Sequence, residues 1–507
     1  MPDRRLRLFL SLPLLVAMLG CGDASEPRVE APAVAEAPPF PARPDLLLIT
    51  IDTLRADHLS AWGYERETSP NLDRLAAEGV QFEEAQVQWP KTGPSFTSMM
   101  TATYPKDNGI VRHVGIPVPC AYRMLAEELS ALGYQTRAVV ANGAVGREFF
   151  FDQGFDDYVE TWKVEEEYEG RNWRNRRKRD PNRAERVTDL ALLSARQLDR
   201  ERPYFLWVHY LDPHAPYSPP GDFADLFQGD EYFDPSQRIE IDPTKARREI
   251  GAIGKKDVVD HEDRLAFYVA RYDAEIRYTD AEVERLLEGL RAEGLADNRV
   301  TVVTADHGES LGEHNYYFSH GRLPFQTCLR VPLLFHWPGV LEARRDAAPV
   351  ELIDLAPTLL ALAGKELPGG RWAQGASLVP RLRAGGDRDA PEEPHLSFSE
   401  AGYGQNRRWL HVVRDERFKL VYAPLDRDQI WIGGVGKEFV LFDLEEDPGE
   451  TRDVAAEHPE VFDRLKRALW SWYRAPAFPV ATEEATCGDD RVIDQETEKQ
   501  LRALGYL

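Results

Sequence analysis

Four continuous apolar runs constrain the fold of this chain more than any other feature. They are 45-DLLLITID-52, 136-TRAVVAN-142, 203-PYFLWVHYLD-212 and 299-RVTVVTAD-306. An apolar run without polar alternation is typical of a strand that is buried on both faces, as in a parallel sheet. We therefore predict four strands at the centre of a parallel sheet. Three of them end directly at an aspartate.

Helical patterns lie between these runs. In 272-YDAEIRYTDAEVERLLEGLRAEG-294 the apolar residues fall on one helical face, and Gly294 is placed to end the helix. These apolar residues are Ile276, Val283, Leu286, Leu287 and Leu290. Strands that alternate with helices predict an α/β fold with a doubly wound, mainly parallel sheet. Ligands bind at the carboxyl ends of the strands in such folds.

The C-terminal part has a different pattern. A Gly/Pro-rich passage at about 364–394 indicates a boundary. Beyond it, 409-WLHVVRDERFKLVYA-423 and 437-KEFVLFDLEEDPGE-450 alternate as exposed antiparallel strands do, and a charged helix follows at 458–474. We predict a catalytic domain over 45–380 and a smaller subdomain of antiparallel sheet plus helix over 381–507.

The N-terminal residues indicate export. Basic residues precede a short apolar stretch, which predicts a signal peptide over 1–20. Cys21 follows at the position of the acylated cysteine in the lipobox of bacterial lipoproteins, and a Pro/Ala-rich tether occupies 21–44. The alternative is a plain secretory signal with Cys21 a bystander. Either reading predicts a protein of the cell envelope, periplasmic or anchored to the membrane through an N-terminal lipid.

Charge and cysteine content exclude some functions. The 507 residues include 62 basic and 86 acidic residues, a formal net charge of −24. So negative a protein repels polyanions, which argues against nucleic-acid binding. The spacing of the four cysteines (Cys21, Cys120, Cys328 and Cys487) suggests no zinc site. No pattern fixes the oligomeric state.

Acids and histidines gather at the predicted strand ends. Asp306 and His307 are adjacent after one buried strand, in 306-DHGESLGEH-314, and Asp52 ends another. Taken singly, a strand-end aspartate often caps the next helix, and a lone histidine often only forms a hydrogen bond. Three such groups at one sheet edge favour binding of a divalent cation. No second set of metal ligands is obvious.

The stretch 89-WPKTGPSFTSMMTATYP-105 places Thr92 two residues before Pro94, at the predicted start of a helix. Thr92 could cap this helix, which is worth about 1 kcal/mol. A helix N-terminus also binds anions, and a cation-bound hydroxyl there could attack an oxyanion ester. Spacing alone leaves both interpretations open.

A series of motifs resembles the sulfatase family, within the alkaline phosphatase superfamily. It includes 50-TIDTLRADHLSAWGY-64, 101-TATYPKDNG-109, 209-HYLDPHAPY-217, 272-YDAEIRYTD-280, 306-DHGESLGEH-314, 331-VPLLFHWPG-339, 352-LIDLAPTLLALAG-364, 441-LFDLEEDPGE-450 and 500-QLRALGYL-507. The resemblance runs from about residue 45 to the end. It implies a sulfatase-like α/β fold and an enzyme that acts on a small-molecule, glycan or lipid ester.

The resemblance also implies a set of site residues. One divalent cation (Ca, Mg, Mn or Zn) would be held by Asp52, Thr92, Asp306 and His307. His214 would contact the substrate oxyanion or the leaving group. His320 lies near the basic Lys/His position of the family, and Arg55 and His314 would be polar neighbours.

The chain departs from the family at the nucleophile. Family members carry Cys (or Ser)-x-Pro-x-Arg, in which the first residue becomes formylglycine. Here the segment is Thr92-Gly93-Pro94-Ser95-Phe96, so the aldehyde precursor and the arginine are both missing. Thr53 also stands where many sulfatases have a second metal-binding aspartate. A threonine ester of phosphate can be cleaved by water or by an alcohol, whereas a threonine sulfate lacks the exit that the aldehyde provides.

We therefore expect a metal-dependent hydrolase or transferase of sulfuric or phosphoric esters, in which Thr92 favours phosphoryl chemistry. Two alternatives stay open. One is a sulfatase that works without formylglycine, or with another nucleophile such as Ser95. The other is a sulfatase-fold binding protein that has lost its chemistry.

Overall fold

The predicted parallel strands form the centre of one large sheet. The computed structural model describes residues 40–111, 116–164, 182–229, 233–246, 250–365, 373–383, 395–402, 409–424, 430–432, 435–476, 491–504 and 506. The predicted signal peptide, Cys21 and the tether up to residue 39 lie outside the described residues.

The strands are β1 (Asp45–Ile51), β2 (Val80–Gln86), β3 (Gln135–Val140), β4 (Asp157–Glu160), β5 (Tyr204–Tyr210), β6 (Ile241–Asp242), β7 (Ile253–Gly254), β8 (Arg299–Ala305), β9 (Ser310–Leu311), β10 (Tyr317–Ser319), β11 (Arg330–His336), β12 (Arg344–Asp346), β13 (Val350–Glu351), β14 (Ser397–Ala401), β15 (Leu410–Arg414), β16 (Phe418–Tyr422), β17 (Ile430–Ile432), β18 (Val435–Lys437) and β19 (Phe439–Asp443).

The α-helices are α1 (Pro70–Glu78), α2 (Thr92–Thr101), α3 (Pro105–Asn108), α4 (Leu125–Ala131), α5 (Ala184–Ala195), α6 (Leu265–Ala292), α7 (Gln326–Leu329), α8 (Leu355–Leu362), α9 (Val379–Leu382), α10 (Pro459–Arg474) and α11 (Gln495–Leu504). The helix predicted over 272–294 is the C-terminal part of α6, which begins seven residues earlier, at Leu265.

The central sheet has nine strands within the described residues. Their order is β12-β2-β11-β8-β1-β5-β3-β4, with β13 beside β2. Only β11 runs antiparallel to its neighbours β8 and β2 in this part of the chain. The four predicted apolar runs are β1, β3, β5 and β8, which are adjacent and parallel. The prediction of a doubly wound, mainly parallel sheet is confirmed.

Two groups of helices cover this sheet. Helices α1 and α5 pack against α6, while α2 packs against α4 and α8. The central strands are therefore enclosed, and the side chains of β5 and β8 are buried throughout. This explains why their sequences are apolar at successive positions rather than at alternate ones.

The C-terminal part contains the predicted antiparallel sheet and helix. Strands β14, β15, β16 and β19 form a four-stranded sheet in that order, and α10 packs against β15 and β16. The expectation that these strands are exposed is wrong. Val413 and Leu420 pack with Leu465 and Leu469 of α10, whereas Val412 on the opposite face joins the main core. The alternation in sequence therefore separates two apolar environments.

The described residues from Phe40 onwards form one compact unit. The predicted division at residue 380 stays a prediction, although the second sheet begins after it, at Ser397. In this described part of the chain, no helix is both long enough and apolar enough to cross a membrane.

Candidate active site

The three central strands end side by side and bring the predicted site residues together. Ile51 of β1 pairs with Tyr210 of β5 on one side and with Ala305 of β8 on the other. Asp52 and Asp306 therefore follow neighbouring strands at the same sheet edge. Both are fully buried.

Two carboxylates and two imidazoles meet at this edge. Nε2 of His307 lies 3.3 Å from Oδ2 of Asp306 and 4.0 Å from Oδ1 of Asp52. Nε2 of His209, a residue of β5, lies 3.6 Å from Oδ2 of Asp52. The sequence predicted three of these groups, and the structure adds His209.

The tautomer of His307 follows from the hydrogen bond of its second ring nitrogen, Nδ1. Nδ1 of His307 lies 2.9 Å from the carbonyl oxygen of Gly308, which can only accept a hydrogen bond. The proton of a neutral His307 ring is therefore on Nδ1, and Nε2 presents its lone pair to the carboxylates. A metal-binding histidine is oriented in the same way, by a hydrogen bond from its other nitrogen.

Several buried polar atoms at this edge have no hydrogen-bond partner among the described residues. They are Oδ1 of Asp52, Oδ2 of Asp306, Nε2 of His209 and Oγ1 of Thr53. Burial of an unpaired acceptor costs about 1–3 kcal/mol, and more for a charged group. Acceptors from Asp52, His209 and Asp306 lie within 4.8 Å of one another. Oxygen and imidazole donors at this spacing suit a divalent cation.

The two carboxylates differ in pKa for a physical reason. Burial acts to raise the pKa of Asp52, but the neighbouring imidazoles of His209, His214 and His307 outweigh it and lower that pKa. Burial and the nearby charge of Asp52 raise the pKa of Asp306 above its ordinary range. Two buried acids this close cannot both ionise cheaply unless a positive charge lies between them.

Thr53 is held in a strained conformation beside the carboxylates. Its φ is +55°, a left-handed value that β-branched residues rarely adopt. Its backbone N–H points at Oδ1 of Asp306, and its carbonyl oxygen accepts a hydrogen bond from the hydroxyl of Tyr272. The turn after β1 is therefore fixed from several sides, which keeps Asp52 in place.

Thr92 does not cap its helix. The N-cap of α2 is Lys91, and Thr92 is the first helical residue. Oγ1 of Thr92 instead lies 3.3 Å from Nε2 of His307 and 3.5 Å from the hydroxyl oxygen of Tyr506. The capping interpretation is wrong, and the hydroxyl faces the cluster of carboxylates and imidazoles.

The missing family arginine is replaced by an aromatic contact. Phe96 is fully buried one turn after Thr92, and its ring packs 5.0 Å from Trp207 and 4.8 Å from His209, centroid to centroid. An arginine here would have to bury its charge among these rings. Ser95, the alternative nucleophile, donates its hydroxyl to the carbonyl oxygen of Asp306 at 2.5 Å.

His214 is connected to Thr92 by the hydroxyl of Tyr506, which contacts both side chains. Its Nε2 is 3.2 Å from the hydroxyl oxygen of Tyr506, which is in turn 3.2 Å from Nδ2 of Asn142. Nδ2 of Asn142 also donates to Oδ2 of Asp52 at 2.5 Å. His214, predicted to contact the substrate oxyanion or the leaving group, and the predicted metal ligand Asp52 thus belong to one hydrogen-bonded network.

His320 and Glu309 form a second polar group, which lies next to His307. The His320 ring lies 4.2 Å from His307 and 5.3 Å from His214, and Nδ1 of His320 is 3.2 Å from Oε1 of Glu309. His214, Glu309 and His320 have donors within 4.8 Å of one another, so a second candidate metal set does exist, contrary to the sequence-based expectation. These atoms already have partners, since Tyr217 donates to Oε2 of Glu309.

Arg55 and His314, the two predicted polar neighbours of the site, make different contacts. Arg55 is buried and orients the loop after β8, because its guanidinium contacts Glu313 and the carbonyl oxygen of Glu309. The ring of His314 instead stacks on the ring of Phe325, with 3.5 Å between the two centroids. Asp212 accepts a hydrogen bond from the backbone N–H of Ala184, so it stabilises the start of α5.

Gly308 is needed where the loop passes under α7. A Cβ at this position would lie 2.1 Å from the carbonyl oxygen of Thr327, and the N–H of Gly308 donates to the carbonyl oxygen of Cys328. The glycine after Asp306 and His307 therefore allows the close backbone approach that fixes both ligands.

A cavity of about 530 Å3 opens beside His214. Helix α11 contributes Lys499, Gln500 and Leu504 to its wall, and Arg183 and Trp162 lie across from them. A cavity of this size holds a small organic molecule. Its wall also carries Asp212, Glu275 and Glu496, so acidic, basic and apolar side chains all line it.

Sequence reasoning missed His209, Asn142, Glu309 and Tyr506. A signal for His209 was its place near the end of an otherwise apolar strand, where a polar residue needs a reason. Asn142 likewise ends one of the four apolar runs. Glu309 follows Asp306 by three residues, while Tyr506 is 414 residues from Thr92 and no local pattern connects them.

Comparison with known proteins identifies the family of this chain. The family model described as "Sulfatase" matches residues 44–365, and the one described as "N-sulphoglucosamine sulphohydrolase, C-terminal" matches 312–474. The chain is 24% identical over 486 residues to an arylsulfatase of Clostridium perfringens, covering 84% of this chain and 94% of the relative. It is 27% identical over 491 residues to a choline-sulfatase of Rhizobium meliloti, covering 87% and 89%.

The solved structures agree on the fold. A phosphonate monoester hydrolase of Agrobacterium radiobacter superimposes with a TM-score of 0.64 at 22% identity, over 85% of this chain and 96% of that one. Enzymes of this family are metal-dependent hydrolases, and this chain has a candidate group of metal ligands, formed by Asp52, His209 and Asp306, at its strand ends. The match of the family model over residues 44–365, more than half of the chain, leads to one conclusion: this chain belongs to the sulfatase family.

Proposed function

We propose that this chain is a metal-dependent hydrolase or transferase of sulfuric or phosphoric esters, with Thr92 as its nucleophile and phosphoric esters as its favoured substrates. One observation carries the proposal. The Thr92 hydroxyl begins a buried helix and points into a cluster of acceptors that lack partners. A hydroxyl used only for packing or capping would have no reason to face that cluster.

The cation would be held by Asp52, Asp306 and His307, together with the Thr92 oxygen. When bound, it would lower the pKa of the Thr92 hydroxyl and neutralise negative charge on the ester. His209 offers a further nitrogen to the same cluster. The donor set contains both oxygen and imidazole, so Ca, Mg, Mn and Zn are all chemically compatible with it.

The chain's own residues then divide the reaction into two steps. The deprotonated Oγ1 of Thr92 attacks phosphorus and forms an O–P bond while the bond from phosphorus to the leaving oxygen breaks. The leaving alkoxide takes up the proton that Oγ1 of Thr92 has lost, at the side where His214 lies. Water or an acceptor alcohol next attacks the phosphothreonine, the Oγ1–P bond breaks, and Thr92 regains its proton.

Two observations pull the choice of ester in opposite directions. Arylsulfatase and choline-sulfatase are names of relatives, and they favour sulfuric esters. Thr92 and Phe96 favour phosphoric esters, because Thr92 cannot become the aldehyde and Phe96 fills the space of its supporting arginine. The fold does not decide, since a phosphonate monoester hydrolase has the same architecture.

The alternative nucleophile fits the structure less well. The Ser95 hydroxyl is committed to the carbonyl oxygen of Asp306 on the far side of the loop. A binding protein without chemistry also fits poorly. The unpartnered acceptors of Asp52 and Asp306 would lower the stability of the folded state without serving a reaction.

The test uses a matched pair of variants. Purified protein is incubated with p-nitrophenyl phosphate, bis-p-nitrophenyl phosphate and p-nitrophenyl sulfate, and its intact mass and release of p-nitrophenol are measured. We expect a mass increment that maps to Thr92. Thr92→Val keeps the shape of the side chain and should reduce turnover more than about 10³-fold. Thr92→Ser keeps a hydroxyl and should retain turnover.

Two outcomes would contradict the proposal. Wild-type turnover by Thr92→Val would exclude Thr92 as the nucleophile. Turnover of the sulfate ester alone, with the label on another residue, would favour the sulfatase that uses a different nucleophile.

The location of the protein is also a proposal. The basic and apolar residues of 1–20, followed by Cys21, support export and a lipid anchor in the cell envelope. Metabolic labelling with a radioactive fatty acid tests the anchor. Wild type should be labelled and Cys21→Ala should not, while labelling of neither would leave a plain secretory signal.

A further inference from the structure

Helix α11 brings a tyrosine from the far end of the chain to the candidate nucleophile. The hydroxyl oxygen of Tyr506 lies 3.5 Å from Oγ1 of Thr92, 3.2 Å from Nε2 of His214 and 3.2 Å from Nδ2 of Asn142. Tyr506 thus lies between the two groups that would form and release the ester bond.

The hydrogen-bonding roles of Asn142 and His214 in this network can be assigned. Oδ1 of Asn142 accepts from the backbone N–H of Ala144, so its Nδ2 is the atom that donates to Tyr506. Nδ1 of His214 lies 2.6 Å from the carbonyl oxygen of Ala215, so a neutral ring accepts at Nε2. The Tyr506 oxygen therefore accepts from Asn142, and its hydroxyl lies within hydrogen-bond distance of both His214 and the Thr92 oxygen.

Contacts of α11 fix the position of this hydroxyl. Nε2 of Gln500 donates to the carbonyl oxygen of Ala141 at 2.8 Å, directly before Asn142. Leu501 is fully buried, and its carbonyl oxygen accepts from the N–H of Tyr506 at 2.8 Å. The indole N–H of Trp162 donates to Thr497 at the start of the helix. These contacts along α11 hold Tyr506 in a fixed position and argue against a segment that leaves the site when substrate binds.

We propose that Tyr506 is a catalytic residue, whose hydroxyl donates a hydrogen bond to an oxygen of the reacting ester. This inference rests on the proposed function of Thr92. A reacting atom must come within about 3–3.5 Å of the attacking oxygen. Because the Tyr506 hydroxyl is 3.5 Å from that oxygen, the oxygens of a bound phosphoryl or sulfuryl group come within its reach. A fixed donor there stabilises negative charge as it develops, and no proton needs to be transferred.

The test compares Tyr506→Phe with Tyr473→Phe, a change at an exposed tyrosine of α10. Tyr506→Phe keeps the ring and removes one hydroxyl. We expect it to lower kcat/KM by roughly 10²–10³-fold, the usual effect of losing one such donor. Bound metal and the thermal unfolding midpoint should match those of wild type, and Tyr473→Phe should keep full activity.

Binding of inorganic phosphate supplies a readout that does not depend on turnover. Loss of one hydrogen bond to a charged ligand should weaken phosphate binding about tenfold in Tyr506→Phe, measured by calorimetry. If wild type cleaves no ester, the proposed function fails, but this measurement still tests the contact between Tyr506 and a tetrahedral anion.

Three results would overturn the inference. Unchanged phosphate affinity in Tyr506→Phe would show that the hydroxyl does not meet the anion. A faster variant would identify Tyr506 as an obstruction at the site. A loss of activity matched by an equal loss of bound metal would make Tyr506 a structural support of Asn142 and Asp52.

Discussion

Asp52 and Asp306 end neighbouring strands, and each presents one buried oxygen with no hydrogen-bond partner among the described residues. Burial, and next the repulsion from the charge of Asp52, raise the pKa of Asp306. The folded protein therefore carries an electrostatic cost at its sheet edge that a cation would offset. Stability and metal content should be linked as a result.

The first prediction concerns metal removal. Wild type should lose thermal stability when a chelator is added and regain it with a divalent cation, by about 2.7 kcal/mol when the cation is at 100 times its Kd. Asp306→Asn should bind less metal and respond little to the chelator, measured by elemental analysis and calorimetry. Asp189→Asn, on the partly exposed side of α5, is the control and should behave as wild type. A chelator response retained in Asp306→Asn would contradict this assignment.

The second prediction concerns Thr53. Aspartate tolerates a left-handed φ better than a β-branched residue, so Thr53→Asp should be accommodated at φ +55°. It would add a carboxylate beside Asp52 and Asp306. We expect tighter cation binding by roughly tenfold, since affinity follows the number of charged ligands. The metal-free variant should be less stable than metal-free wild type. Titration calorimetry measures the first effect, and weaker binding would show that residue 53 does not face the cation.

The third prediction concerns Phe96. Phe96→Ala should lower the free energy of unfolding by about 3–5 kcal/mol, because it leaves a cavity against Trp207 and His209. Phe267→Ala, at a half-buried position of α6, should cost less. Urea unfolding measures both. Equal costs would mean that the aromatic contact behind the nucleophile helix adds little to stability.

The fourth prediction concerns pH and a buried acid away from the site. Burial and the nearby charge of Asp354 raise the pKa of Glu351 from 4.5 to about 8. The folded state then holds a proton that the unfolded state has lost. Its stabilising contribution is complete below about pH 4.5 and is lost as the pH rises to about 8.

Glu351→Gln should remove this dependence. Its unfolding free energy should fall less than that of wild type between pH 5 and 8, by on the order of 4 kcal/mol, because this window covers about three pH units at about 1.4 kcal/mol each. Denaturant titrations at several pH values measure it, with Glu284→Gln at a partly exposed pair as the control. Parallel curves for wild type and Glu351→Gln would refute the raised pKa.

The sequence predicted the fold well because burial on both faces leaves a strong local pattern. Strands β1, β3, β5 and β8 could be located from apolar runs alone. The sequence misjudged β15 and β16, because alternation shows that two faces differ but not that one of them meets solvent. Val413 and Val412 face different apolar surfaces, and only the packing of α10 reveals it.

The site was predictable where its residues follow strands. Asp52, Asp306 and His307 could be placed together because parallel strands end at one edge. The orientation of a hydroxyl could not be predicted, since a helix start allows Thr92 to face its own helix or its neighbours. The position of Tyr506 depends on the docking of α11, which is a tertiary event without a local signature.

The large separation of Asp52 and Tyr506 in the sequence also affects the order in which the parts of the site form during folding. Contacts between distant segments form late in folding, because much chain entropy must be lost first. A chain in which the central sheet has formed but α11 has not docked would hold Asp52, Thr92 and His307 without Tyr506. On the proposal that Tyr506 takes part in the chemistry, such a folding intermediate would be well ordered and nearly inert. An enzyme assembled in this way would gain its full activity only at the final stage of folding.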